Sequence, residues 1–208
     1  MVLGELGGWA DRFATLDERL LERIAALWPD CIQSMPPQPL EDSITINLVA
    51  LLHKDEVARR LCHWIEYQFE PFGIGANGVQ FSKGIIDFAA IIDQDRDTYL
   101  AFECKRLNVV QSGGRQSLAT PYVQEGVMRF ITEQYAEGLP FGCLLGYVLD
   151  SDVAFARQQV DAAIAAHAPV NLAEGPVDLS DLTGTTRFRT KHVRNSGAAI
   201  ELRHSFLS

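Results

Sequence analysis

The chain has 208 residues, 47% of them hydrophobic, a length and composition that suit one globular domain spanning residues 1–208. Its 27 acidic residues outnumber its 18 Lys and Arg residues, and the resulting net charge of −9 disfavours non-specific binding to nucleic acids or anionic lipids. The apolar runs are too short to span a bilayer and the first residues lack the pattern of a signal peptide, so we expect a cytoplasmic protein without a membrane partner.

The first third of the chain predicts two helices joined by a proline-rich linker. Residues 9–28 carry apolar side chains at three- and four-residue steps, which predicts an amphipathic helix that ends at Pro29 and forms an N-terminal appendage over residues 1–32. The prolines of residues 33–40 predict a linker. A second helix is expected over residues 41–53, with Asp42 or Ser43 as its cap, followed by a less regular segment over residues 54–63.

The middle of the chain changes to strand-like patterns. Residues 64–72 predict an extended segment, followed by a glycine-rich turn. Two apolar runs, residues 83–92 and 98–107, predict a hairpin of two largely buried strands. We then expect a loop over 111–119, a long helix over 120–137, a strand over 141–149 and a helix over 152–167. This order predicts an α/β sandwich with a mixed central sheet flanked by helices, its core over residues 41–170.

The C-terminal segment is the basic end of the chain. From Asp181 onward there are five basic residues and only two acidic ones. Residues 181–208 predict a β-hairpin that places Arg187, Arg189 and Lys191 on one face. Such a ribbon could contact a nucleic-acid backbone, or it could be a charged edge that blocks aggregation. We assign no metal to the histidines of this segment, and we interpret the four widely spaced cysteines of the chain as reduced thiols.

Three ionisable residues interrupt the predicted buried hairpin. Asp87 lies within the first strand, and Glu103 and Lys105 lie two residues apart in the second, so both side chains should be on the same face. Two carboxylates in an apolar sheet repel each other and need cations. Mg²⁺, for which Mn²⁺ can substitute, would suit Asp87, Glu103 and the backbone carbonyl of Cys104. The alternative is that Glu103 and Lys105 form an ordinary solvated pair on an edge strand.

The Asp87 and Glu103-Cys104-Lys105 pattern resembles the PD-(D/E)XK nuclease superfamily, and the resemblance covers residues 41–150. It implies a restriction-endonuclease-like three-layer sandwich, although a proline does not precede Asp87 here. The superfamily also places a glutamate on the helix before the first strand. Glu41, followed by Ile44 and Leu48, has the spacing found in Holliday junction resolvase relatives. Glu66 is the other candidate, and Glu41 could also simply be a favourable acid at a helix N-terminus.

The resemblance implies metal-dependent hydrolysis of a phosphodiester. Asp87 and Glu103 would hold the metal, Lys105 would orient the attacking water or stabilise the transition state, and Glu41 would hold a second metal or a water. The helix predicted over residues 120–137 carries two candidate contacts for nucleic acid, Gln124 and Arg129. Arg129 could contact a phosphate or pair with Glu125 on its own helix, and Arg115, in the predicted loop, is a further candidate contact for nucleic acid.

The sequence supports three functional hypotheses. The first is a Mg²⁺-dependent nuclease, an endonuclease acting on DNA in restriction, anti-phage defence or repair. The second is a non-catalytic protein of the same fold that binds nucleic acid or helps an assembly. The third, an unrelated α/β hydrolase, ranks last because the chain has no Gly-x-Ser-x-Gly elbow and no phosphate-binding P-loop. A nuclease this small and acidic is expected to act as a homodimer or with a recognition or motor protein.

Overall fold

The computed structural model describes residues 6–94, 96–111, 113–180, 182 and 184–208, with side chains from residue 11 onward. The ends of two predicted segments, residues 1–5 and residues 181 and 183, therefore lie outside the described residues. The helices are α1 (Leu6–Gln33), α2 (Glu41–Leu52), α3 (Ala58–Leu61), α4 (Ala119–Pro121), α5 (Met128–Ile131) and α6 (Val153–Ala166), with a π-helical turn over Tyr122–Val127 and a 3₁₀ turn over Ala168–Val170. None of the helices described is both long and apolar enough to cross a membrane.

Eleven strands are described, and seven of them form one mixed sheet. They are β1 (Trp64–Phe69), β2 (Phe72–Ile74), β3 (Gln80–Ser82), β4 (Ile86–Ile91), β5 (Tyr99–Arg106), β6 (Asn108–Gln111), β7 (Gly114–Ser117), β8 (Phe141–Tyr147), β9 (Leu172–Asp178), β10 (Thr185–Val193) and β11 (Ala199–Leu207). The order in the large sheet is β1-β4-β5-β8-β11-β10-β9. Strands β5, β8 and β11 run parallel, and the other pairs run antiparallel. The predicted α/β class with a mixed sheet and flanking helices is confirmed.

Side chains that alternate along the strands form two cores, one on each face of the sheet. Phe88, Phe102 and Cys104 pack with residues of α1, α2 and α3, whereas Ala89 and Ala101 pack with the helices that follow β5. The period-two rule therefore puts Glu103 and Lys105 on the face that carries α4, the π-helical turn and α5. This face is the one that builds the candidate site.

Two predicted helices have different limits in the structure. Helix α1 continues through Pro29 to Gln33, because Trp28 and Cys31 on either side of the proline are buried against the body and this packing outweighs the lost backbone hydrogen bond. Helix α2 begins at Glu41, as predicted, but Leu40 is its N-cap residue and makes no side-chain capping hydrogen bond. Asp42 and Ser43 lie inside the helix and do not cap it.

The segment after β5 differs from the prediction in two places. The expected loop over residues 111–119 contains half of the β6–β7 hairpin, whose polar sequence gave little strand signal. The expected helix over 120–137 ends at Ile131 and contains the π-helical turn. The chain then turns through positive φ values at Glu133 and Ala136, which carries Tyr135 back towards the sheet.

The C-terminal hairpin is present, but it belongs to the main sheet. Strands β10 and β11 pair in the expected antiparallel way, and Ile200, Leu202 and Phe206 are buried on one face. The sequence analysis did not identify β9, which adds to the outer side of β10. Strand β11 pairs with β8, so it lies in the interior of the sheet.

Candidate active site

The predicted acidic and basic residues meet where strands β4 and β5 diverge. The regular pairing of the two strands reaches Phe88 and Phe102, and beyond this point the backbone N–H of Cys104 donates to Oδ2 of Asp87 at 2.6 Å. A side chain thus takes the place of a strand partner, which anchors Asp87 beside the middle of β5. Among the described residues, its other oxygen, Oδ1, accepts no hydrogen bond from the protein.

Glu103 is fully buried and is held by two cations. Its Oε1 lies 2.9 Å from Nζ of Lys105 and accepts from Nη1 of Arg129 at 3.0 Å. Burial and, to a lesser extent, the charge of Asp87 raise the pKa of Glu103, Lys105 and Arg129 lower it, and the net result is a pKa of about 7. Burial likewise raises the pKa of Asp87. Both carboxylates therefore lie in surroundings where additional positive charge would stabilise their ionised forms.

Lys105 lies between three oxygen atoms. Its Nζ donates to Oε1 of Glu41 at 3.0 Å and to the carbonyl oxygen of Cys104 at 3.1 Å, in addition to pairing with Glu103. Burial lowers the pKa of Lys105, but the charges of Glu103, Glu41 and Asp87 outweigh it, and the net effect raises the pKa above its usual value. The side chain is therefore an ammonium donor at neutral pH and does not act as a base.

Glu41 reaches the cluster from the first turn of α2. Its second oxygen, Oε2, accepts from the backbone N–H of Arg106 at 2.7 Å, so Glu41 bridges α2 to the end of β5. Glu66, the other candidate, pairs instead with Arg96 at 2.8 Å. The structure therefore places Glu41, and not Glu66, with Asp87, Glu103 and Lys105.

Two residues of the cluster were incompletely predicted. Arg129 was expected to contact phosphate or to pair with Glu125, but it donates to Glu103 and to the hydroxyl of Tyr135. Tyr135, which sequence reasoning missed, donates in turn to the carbonyl oxygen of Ile85 next to β4. No spacing in the sequence reveals this contact, because it depends on the turn that follows Ile131.

The residues present have the chemistry of a site that binds a cation through oxygen ligands. Three carboxylates, from Glu41, Asp87 and Glu103, face two cations, Lys105 and Arg129, so the cluster is one positive charge short of neutrality when all five groups are ionised. Three of its oxygens already surround one ammonium group within 3.1 Å. Within the described ranges, no group of three or more His, Cys, Asp or Glu side chains is spaced to hold a metal by itself. Because Mg²⁺ often uses one or two protein carboxylates and completes its shell with water and phosphate, the donor set fits.

Most of the other residues that were predicted to contact nucleic acid form ion pairs within the protein. Arg115 pairs with Asp150 and Asp152, Arg189 pairs with Glu174 and Glu201, and Lys191 pairs with Glu174. Gln124 is exposed on the π-helical turn. Gly126 of the same turn lies against the cluster, since a Cβ atom there would lie 3.7 Å from Cγ of Glu103.

The prediction for Arg187 is wrong. It shares a strand face with Arg189 and Lys191, as expected from alternation, but α1 covers this part of the face. The Arg187 side chain is 1% exposed and pairs with the buried carboxylate of Asp17. It therefore stabilises the packing of α1 and is not available to a phosphate.

Comparison of the chain with protein-family models, with curated proteins and with solved structures found no significant match in any of the three.

Proposed function

We propose that this protein is a Mg²⁺-dependent phosphodiester hydrolase that acts on DNA and has a restriction-endonuclease-like core. The observation that carries the proposal is that Asp87, Glu103, Lys105 and Glu41 meet in the cluster that is one positive charge short of neutrality. The architecture supports it, because α2, the meander β1-β4-β5, the helical segment over residues 119–131 and the parallel strand β8 follow the order that the superfamily resemblance implies.

Asp87, Glu103 and the carbonyl of Cys104 would hold the Mg²⁺ ion, with Glu41 beside them. When bound, the ion would supply Lewis-acid polarisation of the scissile phosphate and would lower the pKa of an attacking water. Lys105, as an ammonium group, would donate a hydrogen bond to the attacking water or to a phosphate oxygen that gains charge. In the hydrolysis, the water oxygen would bond to phosphorus as the bond between phosphorus and O3′ breaks. This leaves a 5′-phosphate, and the leaving 3′-oxygen takes up a proton to become the 3′-hydroxyl.

Arg129 suits a role at the phosphate. Its guanidinium group is about one-third exposed, while the glutamate that it contacts is buried. Arginine binds phosphate oxygens through paired hydrogen bonds. Arg129 could therefore contact substrate from the side of the cluster that is open to solvent, while Lys105 remains in its interior.

The test is cleavage by the purified protein of plasmid, linear duplex, single-stranded DNA and RNA, with Mg²⁺ or Mn²⁺ and with EDTA. We expect metal-dependent cleavage of at least one DNA substrate. Lys105→Met, Asp87→Asn and Glu103→Gln should each lower the rate by about 100-fold or more, as loss of a charge-stabilising group does in other active sites. Lys54→Met, at an exposed lysine beyond the far end of α2, is the matched control and should cleave normally. Full activity of Lys105→Met would refute the assignment.

A non-catalytic protein of the same fold is the second candidate. The observation in its favour is that Lys105 and Arg129 already satisfy Glu103 without a metal. Calorimetric titration with Mn²⁺ separates the two candidates when no cleavage is seen. A nuclease awaiting a partner should bind Mn²⁺ in the wild type and lose this binding in Asp87→Asn, whereas an abandoned site should show no difference between the two proteins.

A further inference from the structure

Two adjoining cavities lie at the end of α2 opposite to Glu41. The first, of about 460 Å³, is formed by residues between the end of α2 and the start of β1, together with the first residues of β1. The second, of about 570 Å³, lies between these residues and one side of α1. The cavities share Cys62 and His63. Their combined extent suits a ligand larger than a single ion, since small-molecule sites commonly occupy about 300–1,000 Å³.

The walls of these cavities are basic, although the chain as a whole carries a net charge of −9. Arg59 lines the first cavity, and Arg12 and Arg19 line the second. Among the residues whose side chains the structure describes, Asp11 is the one acidic residue that lines either cavity. Within the part of the chain that the structure describes, Arg19 and Arg59 form no ion pair, whereas Arg23 and Arg60 nearby are each paired with a carboxylate. An anionic ligand would give Arg19 and Arg59 the partners they lack.

The first cavity also carries an exposed aromatic surface. The side chain of Trp64 is 59% exposed, and the ring of His53 lies against it at a centroid distance of 5.7 Å. His53 is fixed by a hydrogen bond of 2.7 Å between Nε2 and the carbonyl oxygen of Ile65. An exposed tryptophan and an unpaired arginine that line the same cavity can together stack a planar heterocycle and bind its phosphate.

We propose that these cavities bind a nucleoside phosphate. The base would stack on Trp64 in the first cavity, and Arg59 would bind the phosphate nearest to the sugar. Further phosphates would extend into the second cavity, towards Arg19. An acidic peptide would use the arginines but would leave the indole surface without a planar partner, so the combination of charge and aromatic surface favours a nucleotide.

The inference does not depend on the proposed function, because the two sites use different residues. Helix α2 has Glu41 at its start, in the candidate active site, and ends beside His53. Its 12 residues separate the sites by about 18 Å at 1.5 Å per residue. The ligand could be a free nucleotide or the terminal nucleotide of a nucleic-acid strand, since both present the same base and phosphate.

The experiment is a binding titration in EDTA, monitored by calorimetry and by tryptophan fluorescence. The fluorescence change that is lost in Trp64→Leu is the part that comes from Trp64. The probes are nucleoside 5′-mono-, di- and triphosphates, a 5′-phosphorylated single-stranded oligonucleotide, and inorganic tripolyphosphate as an anion without a base. The variants are Arg59→Ala, Arg19→Ala, Trp64→Leu and Trp64→Phe. Arg60→Ala is the matched control, because Arg60 lies next to Arg59 on the same short helix but lines neither cavity. All four substituted residues are exposed, and circular dichroism checks that each variant is folded.

We expect affinity to increase with the number of phosphates. Arg59→Ala and Trp64→Leu should weaken binding of every nucleotide at least about tenfold. Trp64→Phe should keep much of the affinity that Trp64→Leu loses. Arg19→Ala should remove mainly the affinity gained from the second and third phosphates. If the variants affect binding of the oligonucleotide in this way while free nucleotides bind weakly, the natural ligand is the terminal nucleotide of a strand. This result would equally support the site. No binding of any probe at millimolar concentration, equal weakening by Arg60→Ala, or tripolyphosphate binding as tightly as the nucleoside triphosphate would overturn the proposal. None of these outcomes depends on cleavage.

Discussion

Glu103 shows which part of the candidate site a sequence can specify. Its position two residues before Lys105, within an apolar strand, predicts a buried pair on one face, and the structure confirms that placement. The contacts of Glu103 with Arg129, and of Arg129 with Tyr135, could not be predicted, because they depend on where a helix ends. Alternation within a strand is local information, whereas the meeting of β5 with a turn about thirty residues later is not.

The raised pKa of Glu103 should be visible in the stability of the protein. A carboxyl group whose pKa is about 7 in the folded state and near 4.5 when unfolded favours folding most below pH 4.5, and this contribution is lost as the pH rises through 7. Between pH 5 and pH 8, in EDTA, we expect the wild type to lose on the order of 2 kcal/mol of stability through this group. Glu103→Gln should lack this part of the pH dependence.

The measurement is urea unfolding of both proteins at several pH values between 5 and 8. The difference in unfolding free energy, Glu103→Gln minus wild type, should increase steadily with pH across this range. Glu66→Gln, which removes a carboxylate from a partly exposed ion pair on β1, is a suitable control for the effect of the Glu→Gln substitution itself. A constant difference for Glu103→Gln would show that the carboxyl group has an ordinary pKa in the folded protein.

At the scale of elements, the strongly apolar segments were predicted well and the polar ones were not. Strands β4, β5 and β8 are almost entirely buried, so their sequences are mostly apolar. The β6–β7 hairpin and β9 are mostly exposed, and their polar residues resemble those of loops. Pro29 is an ordinary helix stop in isolation, and only the tertiary contacts of Trp28 and Cys31 explain why α1 continues past it.

One buried acidic residue of helix α1 forms ion pairs with two arginines of the sheet. Oδ2 of Asp17 lies 3.4 Å from both Arg187 on β10 and Arg203 on β11, and its Oδ1 accepts from the thiol of Cys143 on β8. Asp17→Asn leaves Arg187 buried without a counter-charge, so we expect a loss of about 3 kcal/mol in unfolding free energy, measured by urea denaturation.

Glu18→Gln is the matched control for Asp17→Asn. Glu18 is the next residue of α1, is largely exposed and lies 3.7 Å from Arg203, so its loss should cost less than about 0.5 kcal/mol. If Asp17→Asn and Glu18→Gln had equal effects, the buried charge network would contribute nothing specific to the attachment of α1.

On the scale of the whole molecule, stability should be greatest in the middle of the large sheet. Strands β5, β8 and β11 lie at its centre, with cores on both faces. The β2–β3 and β6–β7 hairpins are separate two-stranded sheets with many exposed residues. Native-state hydrogen exchange should therefore be slowest for amides of β5, β8 and β11 and faster by orders of magnitude for the two hairpins. Uniform exchange rates across these strands would contradict this.

The position of β11 determines when the fold can be completed during synthesis. Residues 141–147 have β5 on one side and residues 199–207 on the other, so β8 keeps an unpaired edge until the last of these residues has left the ribosome. A nascent chain that stops before residue 199 exposes a strand of apolar residues to other chains. Completion of this fold therefore waits for residues 199–207, even though every residue of the candidate active site has been synthesised by residue 135.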